Sequence, residues 1–311
     1  MSYRFKLSAP RRLAVVFTLA PVAALKLLQA ASGTPPPQFH LASWFPVDIT
    51  ADPVKGVLVV ERHGQISRVF SDETGLHQEV LFSIAEPEIA QTVTASADAA
   101  YVAASSRNGC RVFRYTFATQ EVAHKSVSPA SGCDGIAAAG HTLFVLLAKT
   151  KQLELWENWD SESPRAVSLE QLQRPGFLVF DKVGQRLLLT DSPMSLSADM
   201  KSPQASNLMH QMPITDFRVY AVSVVNGKVS LVTSGIGQRI TSIAPHTNHI
   251  FIASGKRVSL IRRSDNHSEK LPPALEIMTG GDISGVASDA SGNIWYADMS
   301  KGTIAGPLAI E

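Results

Sequence analysis

Cysteine is scarce: the 311 residues contain two, Cys110 and Cys133. They form no C-x-x-C pair, so the usual zinc, haem-attachment and thioredoxin motifs are excluded. In an oxidising compartment they would make one bridge, and elsewhere they would be two buried thiols; both readings stay open. An excess of one charge is lacking too. Lys and Arg total 28 against 27 Asp and Glu, a net charge of +1, which exerts no general pull on nucleic acid. No nucleic-acid partner is expected. No G-x-S-x-G elbow and no phosphate loop occurs; "ASGK" (253–256) lacks the first glycine and the closing Ser or Thr. No Ser/His/Asp trio stands out, so catalytic residues cannot be named. No apolar run reaches the roughly 20 residues that a membrane helix needs.

What is present begins at the N-terminus. "MSYRFKLSAPRR" carries Arg4, Lys6, Arg11 and Arg12 and no acid, and the apolar run Leu13 to Leu25 follows. Small residues at Ala30, Ala31 and Ser32 complete the outline of a secretory signal. Residues 1–32 are expected to be a signal peptide or, if uncleaved, a signal anchor, which would be the chain's sole membrane contact. The protein is accordingly expected outside the cytoplasm, periplasmic or secreted. Residues 33–37 ("GTPPP") read as an extended tether.

From residue 38 onward one pattern recurs: a small-residue strand, a turn, an apolar strand, a turn and a further strand. Units begin at Val47, Gln91, Cys133, Pro175, Ile240 and Asp282, spaced by 44, 42, 42, 65 and 42 residues. The long interval contains an insert, residues 192–215. Four of the units add a fourth, more polar strand, at 78–83, 121–128, 165–170 and 228–234. Four short strands per period of this length is the pattern of a propeller blade. The expected fold is all-β: a six-bladed β-propeller over 38–311. The last unit stops after three strands, and "QFHLASWF" (38–45) is available to supply the fourth. Closure by an N-terminal strand would remove the exposed sheet edges.

The last unit, "GVASDASGNIWYADMSKGTIAGPL" (285–308), resembles an NHL-type repeat: a small strand, D-x-x-G-N, and an apolar strand ending in A-D. The whole repeat region resembles six-bladed propellers of the NHL and regucalcin/gluconolactonase groups. That resemblance implies a ligand-binding channel mouth and, for the second group, a Ca²⁺-dependent lactonase or esterase-type hydrolase. Where that group has Glu in an E-G-P context, this chain has "PVDIT" with Asp48.

In propeller geometry the start of each inner strand and the end of each second strand share one face. Asp48, Asp134 and Asp282 from strand starts, and Glu61, Asp191 and Asp298 from strand ends, would gather there beside Arg174 and Arg239. Asp48, Asp134 and Asp282 are candidate ligands for a hard cation such as Ca²⁺, which takes oxygen donors. Asp191 and Asp298 equally suit turn capping, in which a carboxylate accepts from nearby backbone N–H groups. The insert contains Met194, Met200, Met209, His210 and Met212, four of the chain's seven methionines among them. Such a loop suits adaptable contact with a partner, and its soft donors would also suit Cu(I). The His246–His249 turn is expected on the opposite face, without a role. The leading expectation is an exported binding module that presents a face at the channel mouth to a small ligand or protein partner. The hydrolase is the alternative.

Overall fold

The computed structural model describes residues 37–41, 45–107, 109–128, 132–191, 215–237, 240–263, 275–279 and 281–309. The signal segment, most of the tether, the methionines and His210 of the insert, and Arg239 lie outside the described residues.

The strands form six four-stranded antiparallel sheets. A short strand, β1 (Gln38–His40), precedes the first blade. Blade 1 holds β2 (Pro46–Ala51), β3 (Val57–Glu61), β4 (Gln65–Asp72) and β5 (Gly75–Ser83). Blade 2 holds β6 (Ile89–Ala95), β7 (Ala99–Ser106), β8 (Gly109–Thr116) and β9 (Val122–Ser128). Blade 3 holds β10 (Gly135–Ala139), β11 (Thr142–Leu147), β12 (Gln152–Trp156) and β13 (Arg165–Ser168). Blade 4 holds β14 (Pro175–Asp181), β15 (Arg186–Asp191), β16 (Thr215–Ser223) and β17 (Val229–Gly237), with the insert between β15 and β16. Blade 5 holds β18 (Ile240–Pro245), β19 (His249–Ser254), β20 (Arg257–Arg262) and β21 (Leu275–Met278). Blade 6 holds β22 (Ile283–Ser288), β23 (Ile294–Asp298) and β24 (Thr303–Leu308).

The inner strands β2, β6, β10, β14, β18 and β22 touch in succession, and β22 returns to β2, so the ring is closed. The outer strand of blade 6 is β1, which pairs antiparallel with β24 through Gln38–Ala305, Phe39–Ile304 and His40–Thr303. Leu41 then tucks into the contact between blades 6 and 1. An all-β six-bladed propeller closed by its N-terminal strand is what the repeat predicts.

The core is divided among the blade interfaces. Side chains on a strand alternate sides, and in a blade each side faces a neighbour. In β3, Leu58 and Val60 pack toward blade 2, whereas Val57 and Val59 pack toward blade 6. In β11, Leu143, Val145 and Leu147 face blade 2 and Phe144 and Leu146 face blade 4. The same split divides β23, with Ile294 and Tyr296 on one side and Trp295 and Ala297 on the other. Strands buried on both faces read as continuous apolar runs rather than alternating ones. That is why "VLVV", "LFVLL" and "RLLLT" look as they do.

One covalent link crosses between blades. Cys110, in β8 of blade 2, is bonded to Cys133, just ahead of β10 in blade 3, with Cα atoms 5.6 Å apart.

Candidate functional site

Because each blade is a meander, its inner-to-second and third-to-outer turns share one face, here termed lower; inner strands start on the upper face. A cavity of about 530 Å³ occupies the channel and opens on the lower face. All six blades wall it, for example through Thr50, Thr94, Ala138, Phe180, Ser242 and Val286. That volume falls within the range of small-molecule pockets, roughly 300–1,000 Å³.

The wall is not six-fold uniform. Inner strands elsewhere are small or slender, such as "GIAAA" and "ISGVAS", and nearly all their residues are buried. Blade 4 contributes "PGFLVFD", whose Phe177, Val179 and Phe180 are only half-buried and line the cavity. Phe180 also lies nearly parallel to Phe144 of blade 3, centroids 6.5 Å apart and planes at 7°. Blade 4 therefore supplies apolar lining, with Phe180 packed toward blade 3 and Val179 toward blade 5, opposite hydroxyl-bearing walls.

Charge collects at the lower rim of blades 4 and 5. The buried carboxylate of Asp181 accepts from both terminal nitrogens of Arg263, each at 2.6 Å. It accepts further from Gly184 N–H at 3.1 Å and Arg186 Nε at 3.2 Å. Burial alone would raise the Asp181 pKa; the bonds from Arg263 and Gly184, the Arg263 charge and the Arg186 bond outweigh it and hold the carboxyl below its usual range. Arg263 Nε donates to the His246 carbonyl at 2.7 Å. The His246 ring lines the cavity and stacks with His249, centroids 6.2 Å apart. Each ring keeps a buried Nδ1 without a hydrogen-bond partner among the described residues. Burial, then Arg263, lowers the His246 pKa. Burial, then His246, Arg262 and Arg263, lowers that of His249. The sequence gives this turn no role, but folding places it on the cavity rim.

The "SDASGN" motif lies on the same rim. Asp289 Oδ1 accepts from Ser291 and Asn293 N–H, each at 2.9 Å, and Oδ2 from Asn293 Nδ2 at 3.1 Å and Trp295 Nε1 at 2.8 Å. Gly292 has φ +82°, and a Cβ there would stand 3.0 Å from His246 Nε2. The glycine thus permits both the turn and the approach of the imidazole.

The residues expected at the channel mouth lie mainly at the other end. Asp48 alone among them lines the cavity. Its Oδ1 accepts from Ile49 N–H at 2.9 Å, and its Oδ2 from Thr92 Oγ1 at 2.6 Å and Val93 N–H at 3.1 Å. It therefore ties blade 1 to blade 2. Glu61 is fully buried and accepts from Gln65 Nε2 at 3.0 Å and Gln78 Nε2 at 3.1 Å. Asp134 accepts from Ala148 N–H at 2.9 Å. Asp191 accepts from Gln173 N–H at 3.2 Å and Arg174 N–H at 2.6 Å, while the Arg174 residue itself is exposed. Asp282 is buried, with its N–H donated to Ser300 Oγ at 3.1 Å. Asp298 accepts from Ser300 Oγ at 2.7 Å and Lys301 N–H at 3.1 Å. Asp298 thus caps the turn that follows it, whereas Asp191 holds the segment that leads into β14. Among the described residues no three His, Cys, Asp or Glu side chains are grouped to hold a metal ion.

No protein-family model matches the chain. No curated protein sequence matches it either. Solved structures do. A chain of a mitotic checkpoint complex superposes with TM-score 0.62 at 14% identity, covering 100% of this chain and 99% of that one. The WD40 repeats of RRP9 give 0.56 at 12% identity, covering 84% and 89%. The WD40 β-propeller domain of Doa1 gives 0.53 at 10% identity, covering 86% and 94%. At such identities the likeness is one of fold.

Proposed function

We propose that the protein is a binding module whose working site is the channel cavity on the lower face, and that its ligand is a small molecule. One observation carries this reading: a cavity of about 530 Å³ that draws its wall from all six blades and sets apolar lining against polar groups. Pockets of this make-up hold ligands by apolar burial and orient them with a few polar contacts. Fold alone does not choose a function, because propellers host many; the site does. A lactonase-type reading would need converging oxygen ligands, and among the described residues no group of three His, Cys, Asp or Glu supports it. The test is a thermal-shift screen of a small-molecule library. Ligands that bind the native state raise the melting temperature with concentration. Ala95→Phe and Ser288→Phe, each placing bulk in the cavity from a different blade, should abolish the shifts. Shifts that persist in both plugged variants would remove the cavity from the reading.

A protein partner on the same face is the second reading. Val54, Val122, Val183 and Val225 are exposed by 62%, 48%, 57% and 82%, and all four stand in or beside lower-face turns. Chains from structures of a mitotic checkpoint complex and a nidogen/laminin complex share the fold. Val183→Asp combined with Val225→Asp would abolish such docking, whereas the plugged variants would retain it.

We also infer that the protein works outside the cytoplasm, in line with the N-terminal signal pattern. The Cys110–Cys133 bond supports that placement, since such bonds persist in oxidising compartments. The Asp289-centred D-x-x-G-N turn supports kinship with NHL-type propellers.

A further inference from the structure

We propose that the cavity's ligand is a small apolar carboxylate, its body on Phe177, Val179 and Phe180 and its charged end at Lys182. This rests on the cavity reading above and adds the chemical class. This lining is the cavity's large half-buried aromatic surface, and it belongs to the strand that runs directly into Asp181 and Lys182. A ligand lying along β14 therefore brings its far end to the lower rim of blade 4.

At the wall and rim three cations, Lys182, Arg186 and Arg263, balance Asp48, Asp181 and Asp289, so a preference for an anion rests on where one cation stands. Asp181 is taken up by two guanidinium groups, Arg263 and Arg186. Lys182 is exposed and lines the cavity, and its ammonium has no ionic or hydrogen-bond partner among the described residues. The two other carboxylates of the cavity wall are engaged: Asp289 accepts four hydrogen bonds from its own turn and Trp295, and Asp48 accepts three from Ile49, Thr92 and Val93. Burial first, then Arg263 at both rings and Arg262 at His249, lowers the pKa values of His246 and His249. A carboxylate at this rim meets an unpaired ammonium, and a charge-assisted bond there is stronger than a neutral one.

Isothermal titration of the full chain at neutral pH with three probes of one skeleton tests the assignment: 3-phenylpropanoate, 3-phenylpropanamide and 3-phenylpropylammonium. The carboxylate should bind about tenfold or more tightly than the amide, the range expected for a hydrogen bond to a charged group. Lys182→Met, an exposed change that leaves packing intact, should erase that preference while amide binding stays the same. Equal affinity for carboxylate and amide, or tightest binding of the ammonium, would overturn the carboxylate assignment and leave the cavity reading standing. Failure of all three to bind would overturn both.

Discussion

Arg263, just past the end of β20 in blade 5, grips both carboxylate oxygens of Asp181 in blade 4 at 2.6 Å each, across 82 residues of sequence. The Asp181 side chain is fully buried and that of Arg263 is 13% exposed, so this is an interior ion pair that joins two blades beside the cavity. Removing Arg263 leaves the buried Asp181 with only the longer bonds from Arg186 and Gly184. Arg263→Met should destabilise the fold by about 3 to 5 kcal/mol, the range for breaking a buried pair. The double variant Asp181→Asn with Arg263→Met should recover part of the loss, because it leaves no buried charge. Denaturant unfolding of the single and double variants measures both effects. Equal stability of Arg263→Met and the parent would show that the pair is idle.

The Cys110–Cys133 bond closes a loop of sequence separation 23 between neighbouring blades. A loop of this length is expected to stabilise by about 3 kcal/mol through the unfolded state. Cys110→Ser with Cys133→Ser should lower the denaturant midpoint accordingly. Reduction of the parent should do the same. An unchanged midpoint on reduction would contradict the bond.

Acid should weaken the fold in two stages. His246 and His249 have pKa values lowered below 6.5 in the folded state, so the unfolded chain binds their protons more readily. Their contribution is present in full above 6.5 and is lost as pH falls through the folded values. Asp181, also lowered, contributes above the ordinary Asp value of 3.8 and loses that contribution as pH falls through its folded value. Stability measured against pH should therefore decline first below 6.5 and again below 3.8. His246→Gln with His249→Gln should flatten the first decline and leave the second. A stability that rises as pH drops below 6.5 would reverse the assigned sign.

Asp48 holds Thr92 and Val93 from the adjoining blade. Asp48→Ala leaves those buried donors unsatisfied and should cost about 2 to 3 kcal/mol. A Ca²⁺ titration separates this latch from a metal role: the parent's melting temperature should not respond to the ion. A Ca²⁺-dependent rise that disappears in Asp48→Ala would favour the metal role instead.

The blades were legible in the sequence because each second strand buries both faces and so stands out as an unbroken apolar run between turns. The chain's return was legible too, although β1 spans Gln38–His40, shorter than the stretch 38–45. The outer strand of blade 5, Leu275–Met278, escaped notice, being short and far from β20. Much of the site was hidden. Whether a channel opens upward or downward depends on side-chain sizes contributed by six blades, and a single sequence does not align them. Carboxylates at strand ends look convergent on paper, yet Asp298 accepts from its own turn, Asp191 from the segment that leads into β14 and Asp48 from the next blade. The rim group Asp181, Arg263 and His246 comes from two blades and is joined only by folding. A weak signal existed: "PGFLVFD" is too bulky for an inner strand of this propeller.

The most direct measurement locates a bound probe. Crystals of the full chain grown with 3-(4-bromophenyl)propanoate should show an anomalous bromine peak inside the channel, against Phe177 and Phe180, with the carboxylate toward Lys182. A peak at the upper face near Asp134, Asp191 and Asp298, or no bound probe at saturating concentration, would contradict the account.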